Sequence, residues 1–133
     1  MKTKILHIDD DKFLLNMYRI RLETDGDYEV TSIQRLDTDY VTQIANLKPD
    51  LILSDLVKPF PNGIDILRAV KANERTSKIP FVFLSNTFGP HDTETFEEAN
   101  TLGIAGYIRK AETTPSEVVD KVTEILKGIQ QTA

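Results

Sequence analysis

The chain has 133 residues, a formal net charge of -5 and no cysteine. That length fits one domain able to bury its own core, the missing thiols exclude disulfides and thiolate metal sites, and an acidic balance without a long basic stretch speaks against a nucleic-acid-binding surface. The basic start Met1-Lys2-Thr3-Lys4 leads into an apolar run that Asp9 cuts short. It is too short for a signal peptide or a membrane span, so a cytoplasmic protein is expected.

Short apolar runs alternate with helical periods along the chain. Lys4 to Ile8 reads as a strand, and Asp11 as the cap of a helix from Lys12 with Phe13, Met17 and Ile20 at helical spacing. Asp25-Gly26-Asp27 is a turn, and Tyr28 to Ile33 a β-prone segment. Thr38 to Leu47 reads as a weaker helix with Tyr40, Val41, Ile44 and Leu47 on one side, broken by Lys48-Pro49-Asp50. Leu51 to Ser54 is continuously apolar up to its last residue, as in a strand covered on both faces. After a loop with Pro59, Pro61 and Gly63, a helix to about Asn73 buries Ile64, Leu67 and Val70.

Ile79 to Leu84 is the fourth strand. Asp92 is expected to cap a helix carrying Phe96, Ala99 and Leu102, which Gly103 stops. Gly106 to Ile108 is a short strand. Thr114, Pro115 and Glu117 then form a capping box for a last helix with Val118, Val122, Ile125 and Ile129 as its stripe. Five strands alternating with five helices predict an α/β fold. Its doubly wound, five-stranded parallel sheet would have the flavodoxin-like order 2-1-3-4-5, with helices on both faces. Strands 1 and 3 then adjoin at the switch point, where ligands bind outside the carboxyl ends of the strands.

The residues at those ends carry chemistry. Asp9, Asp10 and Asp11 follow the first strand, and adjacent carboxylates repel unless solvated or shared with a cation. One acid suffices to cap the helix, so Asp11 goes to the cap. Asp9 and Asp10 remain as hard oxygen ligands of the type Mg²⁺ accepts beside waters and a phosphate oxygen. Asp55 ends the third strand. Alone it reads equally as an acid satisfied by loop amides; beside a metal pair it is a nucleophile able to form an acyl phosphate. Lys110, otherwise an ordinary solvated lysine, would point into the crevice and pair with phosphoryl oxygens. Ser85 ends the fourth strand and offers a hydroxyl. His7, within a strand, and His91, in a loop, lack a second ligand and are rejected as metal ligands.

Together these residues resemble a response regulator receiver domain of two-component signalling, of the single-domain type. The match runs nearly end to end. It rests on the acidic pair Asp9-Asp10, on Asp55 with Pro59 four and Gly63 eight positions later, on Ser85, and on Tyr107 and Lys110 three apart. Each motif alone is weak, but their joint order and spacing are specific. The resemblance implies a receiver domain over 1–128, with 129–133 a short C-terminal tail and no output domain. It implies that Asp55 accepts a phosphoryl group from a phosphohistidine of a histidine kinase or histidine phosphotransfer protein. Mg²⁺ would be held by Asp10, Asp55 and the backbone carbonyl of Val57, with Asp9 acting through a metal-bound water. Ser85 and Lys110 would move toward the phosphoryl group and Tyr107 would turn inward. The face of helix 4, strand 5 and helix 5 would then change for an unidentified protein partner. No direct nucleic-acid or membrane contact is implied, and the chain would be a monomer or a weak phosphorylation-dependent dimer.

Two positions depart from the family pattern. Ala111 stands where proline usually follows the lysine, which leaves the reach of Lys110 open. Asn86 stands where a small residue usually follows Ser85, and it either narrows the phosphate pocket or adds a donor. The segment from Ser85 to Lys110 is also longer than usual, with Phe88-Gly89-Pro90-His91 in the added loop. Two other readings compete. An aspartyl-phosphate phosphohydrolase commonly places a second acid two residues after the nucleophile, where this chain has Val57. A phosphorylation-independent interaction module on the same fold has no need of Asp10, Asp55 and Lys110 together. A flavin-binding protein is a more distant reading, since no phosphate-cradling loop follows the first strand.

Overall fold

The computed structural model describes residues 2–56, 61–86 and 93–132. Strands β1 (Lys4–Ile8), β2 (Glu29–Ile33), β3 (Leu51–Ser54), β4 (Phe81–Ser85) and β5 (Gly106–Arg109) alternate with helices α1 (Lys12–Asp25), α2 (Tyr40–Leu47), α3 (Gly63–Ala72), α4 (Thr93–Leu102) and α5 (Pro115–Thr132). The sheet has the order β2-β1-β3-β4-β5, as the sequence predicts, and every pairing is parallel. Register pairs Ile8 with Ser54, so Asp9 and Asp55 leave neighbouring strands at the same level. Ser85 pairs with Arg109, which puts Lys110 at the same end of the sheet.

Because successive strand side chains point to opposite faces, each strand feeds two cores. Leu6, Ile8, Ile52, Phe81 and Phe83 pack with Ile44, Ile64, Ile66, Leu67, Val70 and Ala99 from α2, α3 and α4. Ile5, Leu51, Leu53, Val82, Leu84 and Ile108 pack with Tyr18 and Leu22 of α1 and with Val118, Val119 and Val122 of α5. Phe81 and Phe83 are fully buried, each worth roughly 2–3 kcal/mol of hydrophobic stabilisation. His7 lies in the same interior. Its ring is fully buried edge-on to Tyr18 with centroids 5.8 Å apart, and burial pushes its pKa down to about 3, with Lys110 adding to the drop. It is a packed core residue, as its place within a strand suggested.

The stripe expected on α1 is corrected. Phe13 is 74% exposed and Ile20 46%, whereas Leu15, Tyr18 and Leu22 are buried and Met17 is half-buried. Apolar residues occupy most positions from 13 to 22, so periodicity alone does not choose between two overlapping faces. On α4, Ala99 is buried and Leu102 half-buried as expected, but Phe96 is 41% exposed.

Helix starts follow local chemistry. The Asp11 side chain accepts from the Phe13 and Leu14 amides. Thr114 and Glu117 form the expected capping box, with bonds of 3.0 and 3.2 Å. A second box, Asn62 with Asp65, opens α3 with both bonds at 3.0 Å. Gly103 stops α4 in the left-handed region at φ 96°. Asp92, expected to cap α4, lies outside the described residues, as do Val57, Pro59 and the loop Phe88-Gly89-Pro90-His91.

Candidate functional site

Strand order brings four distant segments to the carboxyl edge of the sheet. Asp9 follows β1, and its amide donates to the Ile33 carbonyl of β2 at 3.2 Å. Asp55 follows β3, and its amide donates to the Ile8 carbonyl at 2.9 Å, which extends the β1–β3 ladder into the site. A Cβ on Gly63 would stand 2.5 Å from the Asp55 carbonyl oxygen and 2.7 Å from Leu56 Cα, so glycine is required there by close approach to the Asp55 turn.

The acids differ sharply. Asp9 is fully buried, and each of its oxygens has a donor: Oδ1 takes the Asp11 amide at 2.9 Å and Oδ2 the Lys110 ammonium at 2.8 Å. Asp10 is exposed, and its backbone carbonyl accepts from the Gln34 side chain at 3.0 Å. The Asp55 side chain is 12% exposed; Oδ1 accepts from the Leu56 amide at 2.8 Å, and Oδ2 lies 3.7 Å from Lys110 Nζ. Ligand atoms of Asp9, Asp10 and Asp55 all lie within 4.8 Å of one another. Three carboxylates in that space, with one lysine beside them, make an all-oxygen set able to hold a hard divalent cation.

Electrostatics separate the roles. Burial pushes the Asp55 carboxyl above its ordinary value and the Asp9 charge adds to that, while Lys110, a hydrogen bond from the Ser85 side chain and the Leu56 amide act against it. For Lys110, burial alone would lower the ammonium. The hydrogen bond to Asp9, with the charges of Asp55 and Asp9, more than offsets it, so the pKa is raised. Lys110 is thus a fixed cation whose first partner is Asp9 and whose second is Asp55.

The end of β4 gathers the remaining candidates. Ser85 is buried, and its side chain is among the groups that hold the Asp55 carboxyl down. Its backbone carbonyl accepts from the Tyr107 hydroxyl at 3.1 Å. Tyr107 is half-buried: its ring packs against the α2–α4 core and its hydroxyl reaches the Ser85 carbonyl. The Asn86 side-chain oxygen Oδ1 accepts from the Ala111 amide at 2.6 Å. The two departures from the family pattern are therefore partners of each other. Sequence reading flagged both and did not place them in contact, because nothing in a linear sequence says that 86 and 111 adjoin. The signal that could have paired them is that Ala111, unlike proline, carries an N–H that needs an acceptor.

Comparison with known proteins agrees with this geometry. The profile of the response regulator receiver domain matches residues 5–123. The chain belongs to that family. Among curated relatives, this receiver domain is 38% identical over 85 residues to the DNA-binding response regulator MtrA of Mycolicibacterium paratuberculosis, a match covering 64% of the chain and 36% of that protein. It is 28% identical over 133 residues to protein-glutamate methylesterase/protein-glutamine glutaminase 2 of Carboxydothermus hydrogenoformans, covering 99% of the chain and 36% of that protein. The matched region thus spans about a third of these relatives. The chemotaxis protein CheY4 of Vibrio cholerae superposes with a TM-score of 0.80 at 22% identity, over 94% of the chain and 99% of that structure. A CheY-like receiver domain of Methanospirillum hungatei superposes with a TM-score of 0.82 at 22% identity, over the whole of both chains. At such identities these neighbours establish the fold. Among the described residues, no helix of the receiver domain is long and apolar enough to cross a membrane.

Proposed function

We propose that this receiver domain is a phosphorylation-dependent signalling switch in which Asp55 is the phosphoacceptor. The observation that carries the reading is Lys110. It arrives from 101 residues away in sequence to lie 2.8 Å from Asp9 and 3.7 Å from Asp55, beside a carboxylate trio able to hold a cation. An Asp55 oxygen attacks phosphorus of a phosphohistidine on a kinase or histidine phosphotransfer protein. The P–N bond breaks, and imidazole leaves with the electron pair and takes up a proton.

Mg²⁺ fits the donor set, and Asp10, Asp55 and the Val57 carbonyl would hold it. When bound it supplies positive charge that lowers repulsion between the site acids and the incoming group. Asp9, whose two oxygens hold the Asp11 amide and the Lys110 ammonium, would support it at one remove, through a metal-bound water. Lys110 and Ser85 stabilise the transferred group by charge-assisted hydrogen bonds. The added charge, roughly -1.5 to -2, draws Ser85 and Lys110 inward. Tyr107, tied to the Ser85 carbonyl, follows that displacement and shifts the α4, β5 and α5 face between two packings for a protein partner. The reading includes a cytoplasmic location, no contact with nucleic acid or membrane by this domain, and no catalysis beyond its own phosphorylation and dephosphorylation. Incubation with phosphoramidate and Mg²⁺ should label the parent and leave Asp55→Asn unlabelled. Full labelling of that variant would sink the assignment.

A further inference from the structure

Lys110 has no proline behind it, yet its ammonium is held in the buried acid site. Both flanks of this lysine are tied to one dipeptide at the end of β4. Three residues before it, Tyr107 donates its hydroxyl to the Ser85 carbonyl at 3.1 Å. One residue after it, the Ala111 amide donates to Asn86 Oδ1 at 2.6 Å. The Ser85 side chain acts on the Asp55 carboxyl, opposing the upward push of burial. Ser85 and Asn86 thus connect the proposed phosphoacceptor to both sides of the lysine that serves it. Only a residue with an N–H can make the second tie, and the Asn86 side-chain oxygen receives it.

We propose that Asn86 is a positioning residue that, through the Ala111 amide, sets the reach of Lys110 and makes Ser85 and Lys110 move together when the site is loaded. The pairing takes the place of ring stiffness: where proline would fix the chain by its own φ, this chain fixes it by a hydrogen bond from outside. The bond sits at the exposed rim, so it tunes geometry with little bearing on the core. This inference rests on the phosphoacceptor reading of the site for its consequence, but not for the contact itself.

The test is a cycle of Asn86→Ala, Ala111→Pro and the double variant, with Asn86→Asp as the replacement that keeps the acceptor oxygen. One readout is independent of phosphorylation: amide exchange at Ala111, with the Lys110 Nζ environment followed by NMR of the ammonium. The other is the initial rate of labelling by phosphoramidate with Mg²⁺. Asn86→Ala should lose Ala111 protection and label about fivefold more slowly, the worth of one ordinary hydrogen bond. Asn86→Asp should retain the amide protection, and the double variant should be no slower than the slower single. Unchanged amide exchange and Lys110 signals in Asn86→Ala, or rate losses that multiply in the double variant, would overturn the proposal. Should Asn86→Ala fold poorly, Asn86→Leu, which keeps the side-chain bulk and lacks the acceptor oxygen, decides: unchanged Ala111 exchange and an unchanged Lys110 signal would also overturn the proposal. If the parent fails to label while Asn86→Ala still frees Ala111 and shifts Lys110, the positioning stands and the phosphoacceptor reading falls.

Discussion

Replacing Lys110 with methionine should destabilise the metal-free protein by about 3 kcal/mol, the low end of the range for breaking a buried ion pair. The ammonium lies 2.8 Å from Asp9 Oδ2 and 3.7 Å from Asp55 Oδ2, with side-chain exposures of 12%, 1% and 12% for Lys110, Asp9 and Asp55. At an effective dielectric near 20, unit charges at those separations attract by about 6 and about 4.5 kcal/mol. Desolvation of the ammonium and of its acid partners, several kcal/mol per ion, offsets most of that attraction, so the low end of the measured range is expected. Methionine keeps the apolar stem, so the loss isolates the charge. What remains is three carboxylates within 4.8 Å and no buried cation among them. In urea at low salt with chelator, ~3 kcal/mol moves the midpoint by about 2 M for a slope near 1.5 kcal/mol/M. Mg²⁺ should then restore more stability to the variant than to the parent, since it binds the native site and not the unfolded chain. A metal-free midpoint equal to or above that of the parent would show that Lys110 does not compensate the acids.

Three further outcomes follow from particular residues. Asp55 has its pKa raised above the ordinary 3.8, mainly by burial, so its proton is held more tightly folded than unfolded; stability from this group is complete at low pH and falls as pH rises from about that value through the folded pKa. Asp55→Asn should therefore flatten the pH–stability curve above pH ~4 and be more stable than the parent at neutral pH, checked by urea midpoints across pH. Gly63→Ala drives a methyl against the Asp55 carbonyl and Leu56 Cα, where backbone must shift; it should cost about 1–3 kcal/mol and slow labelling at Asp55, whereas alanine at Gly128, with open space around it, should do neither. Thr114→Ala removes the hydroxyl that accepts from the Glu117 amide and should cost ~1 kcal/mol by chemical denaturation without altering Mg²⁺ affinity.

The sheet was legible because its strands are short apolar runs between helical periods, and for a parallel α/β chain of this length that pattern leaves few topologies. Topology then placed Asp9, Asp55, Ser85 and Lys110 together without a contact map. Capping at Asp11 and Thr114 was legible for a different reason, since a cap is local chemistry within a few residues. The Asn62–Asp65 box had the same local signature and was overlooked beside the prolines of its loop.

What escaped was side-chain choice among near-equivalents. The α1 face depends on which of two apolar stripes meets β2 and α5. That depends on tertiary contacts such as Arg21 with Ser116, and Tyr28 with Thr123 at 2.6 Å between β2's approach and α5. The Tyr107–Ser85 and Asn86–Ala111 bonds escaped for the same reason: each is a contact across the fold, 22 and 25 residues apart in sequence, that no local pattern encodes.

The central claim is that Asp55 carries the phosphoryl group, and trapping the acyl phosphate tests it most directly. The protein is labelled with phosphoramidate and Mg²⁺, reduced with borohydride and mapped by peptide mass spectrometry. The expected result is reduction of one aspartate, Asp55, that depends on Mg²⁺ and disappears when the donor is omitted. Reduction at Asp9 or Asp10 with Asp55 intact, or no trapped product under conditions that label a known receiver domain, would contradict it.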